Sequence, residues 1–88
     1  MKKTVLKFYS NGCGPCRIYA PTFEKVKLEL SESITFQEIN TDEDIQGISA
    51  QYKVRGIPCT VILRDEVEVA RIAGPLTEEQ LRELILIN

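Results

Sequence analysis

The stretch that most limits what this chain can fold into is the junction at residues 5–16. Val5-Leu6-Lys7-Phe8-Tyr9 has the β-branched and aromatic character of a strand, and Ser10-Asn11-Gly12 supplies turn residues after it. From Cys13 to about Leu30 the apolar positions Cys16, Ala20, Phe23, Val26 and Leu30 fall at helical spacing. Pro15 suits the first turn of that helix, where its missing N–H is not needed. Pro21 lies within the pattern and should kink the helix, because it removes one bond from the ladder. Ile34 to Ile39 reads as a second strand. A strand, a helix and a strand in this order imply a parallel pair joined by a right-handed crossover.

Beyond residue 40 the pattern continues without repeats or linkers. Thr41 or Asp42 should cap a short helix carrying Ile45, Ile48 and Tyr52 on one face. Thr60 to Leu63 and Val67 to Ile72 flank Asp65-Glu66, which reads as a hairpin. Gly74-Pro75 breaks the chain. Thr77 with Gln80 makes a capping box, Leu76 with Leu81 can form a hydrophobic staple, and Leu81, Leu84 and Ile85 give the last helix its buried stripe. The order is β-α-β-α-β-β-α. The closing hairpin adds antiparallel strands, so the expected class is α/β, a four-stranded mixed sheet flanked by three helices. At 88 residues the chain is expected to be a single domain over residues 1–88.

Charge and cysteine usage narrow the function classes. A net charge of −2, with Lys and Arg spread along the chain, argues against nucleic acid or anionic membrane as a partner. No run approaches the ~18 apolar residues of a membrane span. Met1-Lys2-Lys3-Thr4 runs into a strand-like segment with no secretory apolar region, so the cytoplasm is the expected compartment. There are three cysteines, one close pair and one isolated. A disulfide-stapled secreted domain would carry an even and larger number, so the pair looks like chemistry.

Cys13 and Cys16 stand three apart where the strand feeds the helix, and residues so spaced in a first turn can reach disulfide distance. Closing so small a ring stabilises a fold only weakly, by about 2 kcal/mol, so stapling is a poor reason for the pair. Reactivity is a better one. Cys13, at the helix N-terminus, faces exposed N–H groups and the positive end of the helix dipole, which favours its thiolate. Cys16 points back into the first turn and should be less accessible. Cys13 is then the nucleophile that attacks a substrate disulfide, and Cys16 resolves the mixed disulfide. A zinc site is the competing reading, but a closed tetrahedral site needs four ligands. The chain has no His and one further Cys, so no metal is expected.

Phe8-Tyr9-Ser10-Asn11-Gly12-Cys13-Gly14-Pro15-Cys16-Arg17 resembles the active-site segment of the thioredoxin superfamily. Tyr52-Lys53-Val54-Arg55-Gly56-Ile57-Pro58 resembles that family's cis-proline segment, and Ala73-Gly74-Pro75 sits where thioredoxins carry a glycine loop beside the active site. The likeness covers nearly the whole chain and implies a thioredoxin-like fold without the usual first strand and helix, a glutaredoxin-sized frame. It implies that Ile57-Pro58 is cis and lies against Cys13. The backbone of Ile57 is then free to pair with an extended substrate strand. Gly12, Gly14, Pro15, Ile57, Pro58, Ala73 and Gly74 are the expected substrate-binding residues.

Four positions depart from the family pattern. Lys7 stands where thioredoxins carry a buried aspartate, the proton acceptor for the second cysteine. Glu38 shares a strand face with Ile34 and Phe36, near where the family carries a lysine. The expectation is the same buried pair with its signs reversed, Lys7 with Glu38, which leaves residue 7 without the family's carboxylate for the Cys16 proton. The bland alternative is a snorkelling Lys7 and a solvated Glu38. Gly12 replaces a tryptophan and should alter the partner range. Cys59 replaces a threonine and reads as a small buried strand residue rather than a second redox partner or metal ligand.

The expected function is a monomeric thiol–disulfide oxidoreductase that reduces protein disulfides. It binds no cofactor beyond the Cys13–Cys16 redox-active disulfide and draws on NADPH indirectly, through a thioredoxin reductase or similar flavoprotein. A glutathione-coupled glutaredoxin-like reductant is the alternative within the same chemistry. A partner-binding module using the thioredoxin face is the alternative from another class.

Overall fold

The structure is a computed structural model that describes residues 2–88; Met1 lies outside them. The elements are β1 (Lys3–Tyr9), α1 (Gly14–Leu30), β2 (Thr35–Asn40), a 3-10 turn (Thr41–Glu43), α2 (Ile48–Gln51), β3 (Cys59–Arg64), β4 (Val67–Ala73) and α3 (Glu78–Ile87). They form one four-stranded sheet in the order β2-β1-β3-β4. β1 runs parallel to β2 and antiparallel to β3, and β3 runs antiparallel to β4. The two inner strands are buried on both faces, Thr4 to Phe8 in β1 and Cys59 to Leu63 in β3. Their near-continuous apolar runs follow from that double coverage.

Alternation along the strands divides the core in two. Val5 and Ile62 face α1 and α3, where they meet Tyr19, Phe23, Val26, Leu81, Leu84 and Ile85. Phe23 stands edge-on to both Tyr19 and Phe36, each at 5.8 Å between ring centres. Leu6, Phe8, Ile39, Cys59, Val61 and Leu63 face the other way, covered by Ile48, Tyr52, Val54 and Ile57. The second face has far less helix over it.

Local chemistry explains the turns. Asp65 and Glu66 take φ of 50° and 71°, the mirror-image turn that matches the twist of a two-residue hairpin. The Asp65 N–H donates to the Lys2 carbonyl (2.7 Å) and the Lys2 N–H to the Asp65 carboxylate (2.8 Å), tying the hairpin to the start of β1. Thr77 and Gln80 form a reciprocal capping box on α3, and Leu76 packs against the cluster that holds Leu81.

Two local expectations change. The helix expected from Thr41 onward is broken, and Ile45 is 98% exposed rather than packed with Ile48 and Tyr52. Asp44 is the cause. Its carboxylate accepts from the N–H groups of Ile48 (2.9 Å) and Ser49 (2.7 Å) and from the Ser49 hydroxyl (2.7 Å), so a new helix starts after it. Gly47, at φ 70°, supplies the left-handed residue the reversal needs. In α1, which runs unbroken through the exposed Pro21, the buried stripe is Cys16, Tyr19, Phe23 and Val26, with Ala20 and Leu30 only half-buried. Tyr19 enters because its hydroxyl has a partner in the core, Thr60 Oγ1 at 2.7 Å.

Candidate active site

Cys13 is the N-cap of α1, in extended conformation, and its Sγ accepts from the N–H of Cys16 at 3.1 Å. Gly14 and Pro15 fill the first two helical positions, where no N–H is required for the ladder. Cys13 and Cys16 are joined as a disulfide, with Cα atoms 5.2 Å apart. Cys13 is half-buried beside the exposed Gly12, Gly14 and Pro15, whereas Cys16 is 4% exposed. Solvent and partners therefore meet Cys13 first. On reduction its sulfur sits among the unpaired N–H groups of a helix start, a setting that favours the thiolate.

Two further segments converge on this sulfur. The carbonyl oxygen of Ile57 lies 3.8 Å from Cys13 Sγ, and the Ile57–Pro58 bond is cis. The Gly74 N–H donates to the Pro58 carbonyl at 2.7 Å, with Gly74 at φ 100°, a conformation glycine adopts without penalty. Gly56 abuts Ala73, since a Cβ at residue 56 would sit 3.7 Å from that of Ala73. The loops at 56–58 and 73–74 are thus one unit, and the first of them reaches the disulfide.

Below the disulfide lies an ion pair. Lys7 and Glu38 are register partners in the parallel β1–β2 ladder. Lys7 Nζ is 3.0 Å from Glu38 Oε1, and Lys27 Nζ is 3.1 Å from Glu38 Oε2. Partial burial works to raise the Glu38 pKa, but hydrogen bonds and charge from Lys7 and Lys27 outweigh it and hold the carboxyl below its ordinary value. Lys27 had no signal in the sequence as a third member. It follows Phe23 by one helical turn, so the face of α1 that packs on the sheet also brings it to Glu38 within β2.

Cys59 is free and 2% exposed, and burial is the main cause that pushes its thiol pKa up. It pairs with Phe8 and belongs to the face of the sheet away from α1. Tyr19 is likewise pushed up, to about 12, chiefly by burial. Among the described residues no group of three or more His, Cys, Asp or Glu is placed to hold a metal ion, and no helix is long and apolar enough to cross a membrane.

A family model described as Thioredoxin matches residues 1–86. The chain is 34% identical over 84 residues to a thioredoxin of Mycoplasmoides gallisepticum, covering 96% of this chain and 82% of that protein. It is 38% identical over 78 residues to a thioredoxin of Rhodospirillum rubrum, covering 89% and 74% respectively. The solved structure of Fasciola hepatica thioredoxin superposes with a TM-score of 0.87 at 34% identity, covering 98% of this chain and 80% of that one.

Proposed function

This chain belongs to the thioredoxin family and is a thiol–disulfide oxidoreductase with Cys13–Cys16 as its redox-active pair; from that premise we propose that it reduces protein disulfides and is itself re-reduced by an NADPH-dependent flavoprotein. The Cys13 thiolate attacks one sulfur of the substrate disulfide, and the bond between the two substrate sulfurs breaks. The Cys16 thiolate then attacks Cys13, the electron pair leaves on the remaining substrate sulfur, and the Cys13–Cys16 disulfide forms. Two electrons pass to the substrate and two thiols become one disulfide.

The observation that carries this reading is the asymmetry of the pair, an accessible sulfur at a helix cap bonded to a buried one a turn away. The Ile57 carbonyl beside Cys13 and the linked loop at Ala73 and Gly74 support a role for these residues, with Gly12, Gly14, Pro15 and Pro58, in seating an extended substrate strand. We place the protein in the cytoplasm as a monomer, without nucleic acid or membrane among its partners.

The test is insulin reduction, run in parallel with thioredoxin reductase plus NADPH and with glutathione plus glutathione reductase. The expected result is turnover with the flavoprotein and none for Cys13→Ser. Turnover with glutathione alone would instead mark a glutaredoxin-like reductant. A Cys13→Ser protein that kept its biological activity would point to a binding module.

A further inference from the structure

Lys7 is the one charged residue in the buried run of β1, and it is 3% exposed. Folding alone does not call for a charge there, since an apolar side chain of similar size would fill the space without the cost of desolvation. Its ammonium is nevertheless held closely: Glu38 at 3.0 Å, with the rings of Phe23 and Tyr9 centred 4.7 and 5.1 Å away. Beside it opens a pocket of about 350 Å³ whose walls include Lys7, Glu38, Tyr9, Asn11, Arg17 and Cys16. The buried ammonium and the buried member of the cysteine pair thus share one space open to water.

Neither partner of the ion pair is suited to take a proton from Cys16. An ammonium has no lone pair to offer. The Glu38 carboxylate is occupied by two lysines, and their pull on it exceeds the effect of its partial burial. What remains is the field of the charge itself. We propose that Lys7 is a positioning residue for Cys16: its ammonium, braced by Glu38, stabilises the Cys16 thiolate while the mixed disulfide is resolved. In that step the Cys16 S–H gives its proton to water in the pocket and the thiolate bonds to Cys13. The bond from Cys13 to the substrate sulfur breaks, and its electron pair leaves with the substrate. The inference rests on the exchange cycle proposed above.

The other charges around Cys16 do not take over this part. Arg17 turns its guanidinium to the Asn11 carbonyl (3.2 Å), and Lys27 is engaged by Glu38. The Asp42 carboxylate accepts the Asn11 N–H (3.1 Å) and does not line the pocket. Tyr19 is bonded to Thr60, and Cys59 lies on the opposite face of the sheet; burial keeps both neutral at ordinary pH.

The experiment titrates Cys16 as the only thiol, in Cys13→Ser/Cys59→Ala protein, by its ultraviolet thiolate absorbance. Lys7→Met should weaken Cys16 ionisation about tenfold or more, a rise of about one pH unit. Lys7→Arg, which keeps the charge, should stay within about threefold of the parent. Glu38→Gln removes the opposing charge and should strengthen ionisation, moving the titration the other way. Should Lys7→Met fail to fold by circular dichroism, the direction of the Glu38→Gln shift decides alone. The inference is overturned if Lys7→Met and Lys7→Arg titrate alike, or if Glu38→Gln does not move Cys16 towards the thiolate. Insulin reduction by the unaltered protein is scored separately, so failure here is distinguishable from failure of the proposed activity.

Discussion

The two faces of the sheet share β1 and β3 but differ in what covers them and in what they hide. One face lies under α1 and α3, helices of 17 and 10 residues, and conceals polar groups in pairs: Lys7 with Glu38, Tyr19 with Thr60. The other lies under the four-residue α2 and the loops around it, and its buried cluster is apolar, the free Cys59 included, with the small hydroxyl of Thr4 at its edge. The buried ammonium and the buried phenol each have a partner, one from β2 and one from β3, because an unpaired polar group there would cost more than its packing returns. The well-covered face is also the one whose helix begins at the reactive disulfide. Rigid support and reactivity share an element.

The contrast has a direct test in packing. Phe23, fully buried against Tyr19 and Phe36, should cost about 3–5 kcal/mol on truncation to alanine. Ile48, half-buried over the other face, should cost about 1–2 kcal/mol, since it buries less surface and the thin cover can settle around the gap. Urea unfolding of both variants provides the comparison. Losses of equal size would mean that the two faces support the sheet alike.

A smaller effect probes the hidden charges. Glu38→Ala leaves the Lys7 ammonium buried without its partner and should cost about 2–4 kcal/mol, less than for a fully buried pair because Glu38 is partly exposed. Lys7→Met in the same chain should recover much of that loss, and a double-mutant cycle with additive losses would refute the coupling. The pH dependence has a fixed sign. The folded Glu38 pKa lies below its ordinary value, so its contribution is present above about pH 4.5 and is lost as pH falls through the folded value. Stability of Glu38→Gln should therefore decline less on acidification than that of the parent.

The face under the long helices was easier to read from the sequence, though not throughout. Leu81, Leu84 and Ile85 and the Thr77–Gln80 box are local patterns with a 3.6-residue period, and they describe α3 as it stands. Lys7 and Glu38 could be matched because strand alternation places each on a known face and the family likeness implied a buried pair there. Tyr19 escaped because an apolar stripe does not register a phenol whose hydroxyl finds Thr60, 41 positions on. Lys27 escaped for the same reason, since its partner is set by how α1 crosses β2. Around Cys13 the cysteines stand out by spacing. The closure by Ile57 and by the bond from Gly74 to Pro58 depends on loops whose approach no local pattern encodes; only the family likeness pointed to those segments. On the other face, counting apolar residues at helical spacing put Ile45 into a helix. The competing signal was Asp44, whose short carboxylate satisfies the next N–H groups more readily than a continued ladder would.

That same carboxylate gives the most local prediction. Asp44 accepts from Ile48, Ser49 and the Ser49 hydroxyl, and the Ser49 hydroxyl is the largest of the causes that hold its pKa below the ordinary value of 3.8. A depressed folded pKa means that the start of α2 is supported above that ordinary value and released as pH falls through the lowered one. Asp44→Asn keeps an acceptor but removes the charge, so the amides of residues 48–52 should exchange faster and should lose most of their acid dependence. The amides of β1 and α1 should be unaffected, since nothing in their hydrogen bonding passes through Asp44. If acid or the substitution loosened α1 together with α2, the thin cover would be coupled to the reactive helix. The two faces would then have to be treated as one cooperative unit.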